Sequence, residues 1–325
     1  MPKYAVTFCN SGGAKIAIIN DHQVFRRLDL DANSLGSQPA SVTGATMHQS
    51  HLVVAVHSSP CLLAFLGKHL AVEKVIKLPQ AKDIHGLASN GNEILVVSAG
   101  TNQIISVNPE NGSVRALWFH GDSLSDTIHL NDISISDGKI YSSRFGLRHP
   151  NQMRSGGIVE IMDNKSLSEH LREPHSVLVY ENDIYVLESG TGDLLKFVPG
   201  FEPQRILGVL GYARGLAINA THLAIGKSGY RKESRHGVGD GRMPPLATSE
   251  AAEEWLRLSG VFIFDRSTQK ANFIDTTTIG AEIYQIVQLP DEFVTAPEPP
   301  AEAVPQPPTS GPPATGEPEA IPKSD

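Results

Sequence analysis

Six short segments of this chain begin alike, and their spacing constrains the fold more than any other property of the sequence. They are Ser41-Val-Thr-Gly-Ala-Thr, Ile84-His-Gly-Leu-Ala, Leu130-Asn-Asp-Ile-Ser, Pro174-His-Ser-Val-Leu, Ala213-Arg-Gly-Leu-Ala and Ala281-Glu-Ile-Tyr-Gln. Aligning Gly44, Gly86, Asn131, Ser176, Gly215 and Glu282 gives intervals of 42, 45, 45, 39 and 67 residues. The first four match a four-stranded propeller blade, a unit of roughly 40 to 50 residues.

The interior of each unit agrees. After the start comes a turn and a mostly apolar second strand, as in Leu52-Val-Val-Ala-Val, Ile94-Leu-Val-Val-Ser and Ile184-Tyr-Val-Leu-Glu. Three of these turns, Asn90-Gly-Asn, Asp137-Gly-Lys and Glu181-Asn-Asp, carry residues that tight hairpins favour. A third strand follows, such as Gln103-Ile-Ile-Ser-Val, and then a more polar fourth, clearest in Ser113-Val-Arg-Ala-Leu-Trp. Strands one to three are expected between neighbouring blades and the fourth at the rim.

The first repeat has no innermost strand of its own, because Tyr4-Ala-Val-Thr-Phe reads as a second strand. Glu282-Ile-Tyr-Gln-Ile-Val, near the other end, supplies the partner, and pairing the two closes the ring and removes exposed sheet edges. The predicted fold is therefore all-β: a six-bladed β-propeller over residues 3–294, with N- and C-terminal strands sharing one blade. A seventh blade would need a four-stranded pattern inside the 67-residue interval, where none is visible. A two-sheet sandwich would leave the recurring starts unexplained.

The repeat resembles the six-bladed propellers of the NHL and gluconolactonase/regucalcin type. The strings HGLA, HLNDIS, EPHSVLVYENDIYVLESGTGDLLKF and ARGLA are similar to those of an uncharacterised bacterial propeller family, over roughly Lys3 to Pro290. The resemblance implies the fold and leaves the activity open, because propellers host enzymes, ligand binders and scaffolds alike. Gluconolactonase-type propellers hold a metal through carboxylate and amide groups at comparable places, whereas this chain offers histidines and an arginine.

Composition narrows the functional classes. A formal charge of −8 argues against a general nucleic-acid partner, which needs a surplus of Lys and Arg. No run approaches the roughly 18 apolar residues of a membrane helix, so no membrane partner is expected. Met1 to Phe8 lacks the features of a signal peptide, and two cysteines, Cys9 and Cys61, are too few for a disulfide framework, which together point to a cytoplasmic location. Residues 295–325 are rich in Pro, Glu, Ala, Ser and Thr, a composition expected to stay disordered. That tail is either a plain solvated segment or a proline-rich ligand for a protein partner.

The innermost strands of a propeller converge on its axis, so the residues at their starts should ring one mouth of the central channel. Here those are His85, Asn131, Asp132, His175, Arg214 and Glu282. The second strands run back to the same face, and their ends carry Asn10, His57, Arg144, Glu188 and Lys227. His85, His175, Asp132 and Glu282 are the candidate acid/base groups, and the same four are the candidate ligands of a divalent metal ion. Asn131, Arg214, Arg144, Lys227, Glu188, His57 and Asn10 are the candidate ligand contacts. The alternative is structural: the histidines bond backbone groups of adjacent blades, and Asp132 caps a loop.

Two insertions between second and third strands, 144–157 and 227–259, should lie over that mouth as lids. Each carries a net +3 before a short acidic helix at 249–258, in which Trp255 is expected to anchor packing. Positive loops on an acidic body focus positive potential, which predicts a small anionic ligand or the acidic terminus of a glycan or peptide. A hydrolase, lactonase or isomerase acting on it is one reading. A noncatalytic scaffold using the propeller rim and the tail is the other.

Overall fold

A computed structural model of the chain describes residues 2–121, 125–146, 156–198, 202–229 and 250–293, with the backbone alone for 250–253. It contains six four-stranded antiparallel sheets. Blade 1 holds β1 (Lys3–Cys9), β2 (Ala14–Ile19) and β3 (Val24–Leu30), and blade 2 holds β4 (Ser41–His48), β5 (His51–His57), β6 (Cys61–Leu66) and β7 (Val72–Leu78). Blade 3 comprises β8 (Ile84–Asn90), β9 (Glu93–Ser98), β10 (Gln103–Val107) and β11 (Val114–Phe119). Blade 4 comprises β12 (Leu130–Ser136), β13 (Lys139–Arg144), β14 (Gly156–Glu160) and β15 (Lys165–Leu171). Blade 5 follows with β16 (Pro174–Tyr180), β17 (Asp183–Glu188), β18 (Asp193–Phe197) and β19 (Gln204–Gly208). Blade 6 has β20 (Tyr212–Ile218), β21 (His222–Ser228), β22 (Gly260–Asp265) and β23 (Ala271–Asp275).

The last strand, β24 (Glu282–Leu289), returns to blade 1 and pairs antiparallel with β1, from Cys9 opposite Glu282 to Lys3 opposite Leu289. The ring therefore closes as the sequence predicts. Successive innermost strands β4, β8, β12, β16, β20 and β24 are neighbours around the axis.

Apolar runs in the second strands follow from burial on both faces of each blade. Leu52, Val54 and Val56 of β5 pack toward blade 1, in a cluster with Ala5, Ile16 and Ile18, while Val53 and Ala55 pack toward Ile84, Leu87 and Val96 of blade 3. A strand buried on both faces reads as continuous hydrophobicity rather than alternation. The fourth strands, such as β7 and β19, carry most of the exposed positions, as expected at a rim. The hairpin turns also behave as their residues require: Asp137 and Gly138 have φ of +49° and +74°, the signs a two-residue primed turn demands.

Every innermost strand carries a register shift in its first half, where two residues oppose one on the second strand. The doubled pairs are Thr43-Gly44, His85-Gly86, Asn131-Asp132, Ser176-Val177, Arg214-Gly215 and Tyr284-Gln285. Such bulges re-aim side chains, and here one recurs at the same place in all six innermost strands. The glycines of the recurring motif have a packing reason. A methyl group at Gly44 would overlap the His85 carbonyl and lie 2.9 Å from the Gly86 Cα. At Gly86 it would lie 2.7 Å from the Asp132 Cα.

The acidic helix forms at Glu250–Arg257 (α1). Its Trp255 packs on Phe262 and Phe273 and donates from Nε1 to the Leu210 carbonyl at 3.0 Å, the anchoring role expected of it. The tail from residue 294 on lies outside the described residues, as do 147–155 and 230–249 of the two insertions with Arg148, Arg154, Arg231, Lys232, Arg235 and Arg242. Their anchoring strand ends are described: Arg144 pairs with Leu130 and Lys227 with Ala213, so both insertions leave from the face where the innermost strands begin.

Candidate functional site

Two linked groups of side chains occupy that face. The first centres on Arg214, second residue of the β20 motif. Its Nη1 donates to the Cys9 sulfur at 3.2 Å and lies 3.8 Å from Glu282 Oε2, which also accepts from Asn10 Nδ2 at 3.0 Å. The guanidinium stacks over Tyr212 and Tyr284, with Cζ 5.0 and 5.8 Å from the ring centroids. His175 meets the same two tyrosines edge-on, with centroid distances of 5.6 Å to Tyr212 and 6.5 Å to Tyr284.

Hydrogen bonding fixes the tautomer of His175. Its Nδ1 faces the Glu173 carbonyl at 2.9 Å, which can only accept, so Nδ1 donates and Nε2 carries the lone pair. Burial, reinforced by Arg214, holds this imidazole well below its usual pKa and therefore neutral. His175 Nε2 and Arg214 Nε are both buried, and among the described residues neither has a hydrogen-bond partner.

The second group centres on Asp83. His85 Nε2 lies 3.3 Å and His57 Nε2 3.7 Å from Asp83 Oδ1, and the His129 ring meets His85 edge-on at 5.1 Å. His129 Nδ1 pairs with Asp126 Oδ2 at 2.8 Å. Burial pushes the Asp83 carboxyl up, but His85, then His57 and His129, outweigh it and hold the carboxyl below the usual range. The two groups meet at Tyr284, whose ring lies 5.3 Å from that of His85 and whose hydroxyl donates to the Asn131 carbonyl at 3.1 Å.

The expected residues thus divide. His85, Asn131, His175, Arg214, Glu282, Asn10 and His57 gather around the axis. The other four turn to local structure. Lys227 is fully buried and caps α1, donating from Nζ to the Trp255 and Leu258 carbonyls at 2.8 and 2.5 Å. Burial lowers its pKa to about 8. Glu188 accepts from the Arg172 backbone N–H and from Thr191 Oγ1, closing the turn after β17. Arg144 reaches Glu169 of its own blade at 4.0 Å. Asp132 lies beneath the mouth, with Oδ1 accepting from the Ile133 N–H at 3.0 Å.

The expected metal set of His85, Asp132, His175 and Glu282 does not converge. Among the described residues the donor groups close enough to share an ion are His57, Asp83 and His85, and Asp83, Asp126 and His129. His85 is the only member in common, because Asp132 is turned down into the bulge and Glu282 is taken by Arg214 and Asn10.

Burial raises the Asp132 pKa to about 7, partly opposed by its Ile133 bond and by His85. A carboxyl that ionises later in the folded than in the unfolded chain favours folding below pH ~4 and loses that contribution as pH rises to about 7. Asp132→Asn keeps the acceptor oxygen and removes the titration. Between pH 5 and pH 8 the wild type should lose about 2–3 kcal/mol relative to this variant, at 1.36 kcal/mol per pH unit. Urea unfolding of both proteins at the two pH values measures the difference, and parallel curves would contradict it.

Residues 67–297 match the family described as a domain of unknown function, DUF4915. The chain belongs to this family. No curated protein matches it in sequence. Among solved structures, a chain of a nidogen/laminin complex is similar over 88% of this chain and 98% of its own, with a TM-score of 0.60 and 13% identity. A protein of unknown function from Bacteroides caccae is similar over 89% and 99%, with a TM-score of 0.56 and 14% identity. At such identities the likeness shows the propeller and nothing of its chemistry. Among the described residues no helix is long and apolar enough to cross a membrane.

For this DUF4915 member, sequence reasoning missed Asp83, Asp126, His129, Tyr212 and Tyr284. Asp83, His129 and Glu173 each immediately precede an innermost strand, in blades 3, 4 and 5, and have φ of +50°, +49° and +48°. This repeated left-handed turn brings side chains that look like loop residues to the channel mouth. A cavity of about 300 Å³ also opens at the far end of the channel, where Thr46, Ser89, Ser134, Ser176, Gln285 and Gln288 line it without a formal charge. Thr46, Ser89, Ser134 and Gln288 come from the far halves of the innermost strands and Ser176 and Gln285 from their bulges, so the cavity opens away from the face expected to hold ligand.

Proposed function

We propose that this propeller binds a small anionic molecule at the mouth where its innermost strands begin. The observation carrying the reading is the pair of unpartnered nitrogens, His175 Nε2 and Arg214 Nε, on adjacent blades against the same two tyrosines. Buried polar atoms are nearly always satisfied, so two at one place point to a ligand that completes them. Arg214 Nε–H asks for an acceptor and supplies permanent positive charge, which suits a carboxylate or phosphate oxygen. His175 Nε2, a neutral acceptor, asks for a hydroxyl or N–H on the same molecule. A neutral imidazole so placed is also equipped to take a proton from that hydroxyl, which keeps hydrolysis, lactone opening and isomerisation as the reaction classes of interest.

The test is thermal unfolding against a panel of hydroxycarboxylates, phosphates and the matching neutral alcohols. A fitting anion at about 100 times its Kd should stabilise the wild type by roughly 2.7 kcal/mol, and Arg214→Lys, which keeps charge but loses the fork, should abolish most of that gain. The reading fails if no anion raises the midpoint, or if Arg214→Lys responds as the wild type does.

A further inference from the structure

The structure assigns a divalent metal site of the zinc class to the Asp83 carboxylate with the imidazoles of His85 and His57. This inference stands independently of the anion reading. It starts from the hydrogen bonds of His85. Asn131 Nδ2 donates to the His129 carbonyl at 3.4 Å, which orients its amide so that Oδ1 faces His85 Nδ1 at 3.1 Å. Nδ1 therefore donates to Asn131, and Nε2 is left facing Asp83 Oδ1 at 3.3 Å. With Nδ1 so engaged, Nε2 is the ring nitrogen that can share a cation with the Asp83 carboxylate.

The spacing fits an ion. In a tetrahedral site with donors about 2.0–2.2 Å from the metal, neighbouring donor atoms lie about 3.3–3.6 Å apart. The His85 and His57 nitrogens lie 3.3 and 3.7 Å from Asp83 Oδ1, and the three donor atoms are all within 4.8 Å of one another. His57 Nε2 exchanges its bond to the Ile84 carbonyl, at 2.6 Å, for the metal. The bond from His85 Nδ1–H to Asn131 Oδ1 is the outer contact that orients a ligating histidine. Two imidazoles and one carboxylate suit zinc and its first-row neighbours rather than calcium or magnesium, and three protein donors leave a coordination position open. The Asp126–His129 pair stands beside the same carboxylate and extends the donor set to a second blade connection.

The experiment uses the untagged full chain, stripped with chelator and titrated with Co²⁺ read by its visible absorption, then with Zn²⁺ in competition. The expected result is a single tight equivalent with the intense spectrum of low-coordinate cobalt. Asp83→Asn and His85→Ala should each weaken binding roughly 100-fold or more, and Asn131→Ala roughly 10-fold. His51→Ala, in a surface pair with Glu73, should bind as the wild type does. Should His85→Ala fail to fold, Asp83→Asn, which changes charge and not shape, decides with the wild type. Absence of cobalt absorption in the wild type, or unchanged affinity in Asp83→Asn, overturns the assignment and leaves His85 and Asp83 as a pair without an ion. Because the titration contains no candidate anion, its outcome and that of the anion panel can fail separately.

Discussion

Replacing Arg214 by methionine is expected to destabilise the propeller by roughly 3–5 kcal/mol, the range for breaking a buried charge pair from one side. Arg214 and Glu282 are 9% and 6% exposed, so the carboxylate left behind has little access to water. Asn10 and the Cys9 thiol still donate to Glu282, but neither carries charge to offset its own. The double variant Arg214→Met/Glu282→Gln removes both charges and should recover most of the loss. Denaturant unfolding of the two singles and the double forms a mutant cycle; strict additivity would show that the pair is not coupled. The cycle also guards the functional test, because it separates loss of ligand from loss of fold.

Gly86→Ala should cost about 3 kcal/mol or more, above most overpacking changes. The new Cβ would stand 2.7 Å from the Asp132 Cα and 2.9 Å from the Ile133 nitrogen, and backbone of the adjacent innermost strand cannot move without shifting its blade. Gly44→Ala should behave likewise against Gly86. Gly91 offers the contrast: it sits in a hairpin turn at φ +59° with open space around it. Alanine there should cost about 1–2 kcal/mol, the penalty of a left-handed conformation alone. Chemical unfolding of the three variants measures the order, and a Gly86→Ala as mild as Gly91→Ala would contradict the packing account.

These glycines show why the fold was legible. The motif positions recur because the same bulge recurs, and the bulge recurs because six strands must approach one axis closely enough that only a hydrogen fits at Gly44 and Gly86. Blade period, ring closure through β24 and the packing role of Trp255 all follow from local pattern: strand periodicity, turn residues and the need to bury both blade faces. Convergence of His85, His175, Arg214 and Glu282 on the channel mouth follows from the same symmetry.

Orientation within the mouth does not. Lys227 occupies the strand end expected to face ligand, yet two carbonyls at the end of α1 lie within reach of its ammonium and take it. Asp83 and His129 precede their strands in sequence and would be read as loop residues, but a left-handed turn at each carries them inward. The amino-acid order alone determined which backbone repeats and therefore how many blades surround the axis, because propensity and burial act over a few neighbouring residues. Which polar groups meet at that axis, and which are spent on caps and turns, was decided only in three dimensions, where groups far apart along the chain compete for the same few ångströms of buried space.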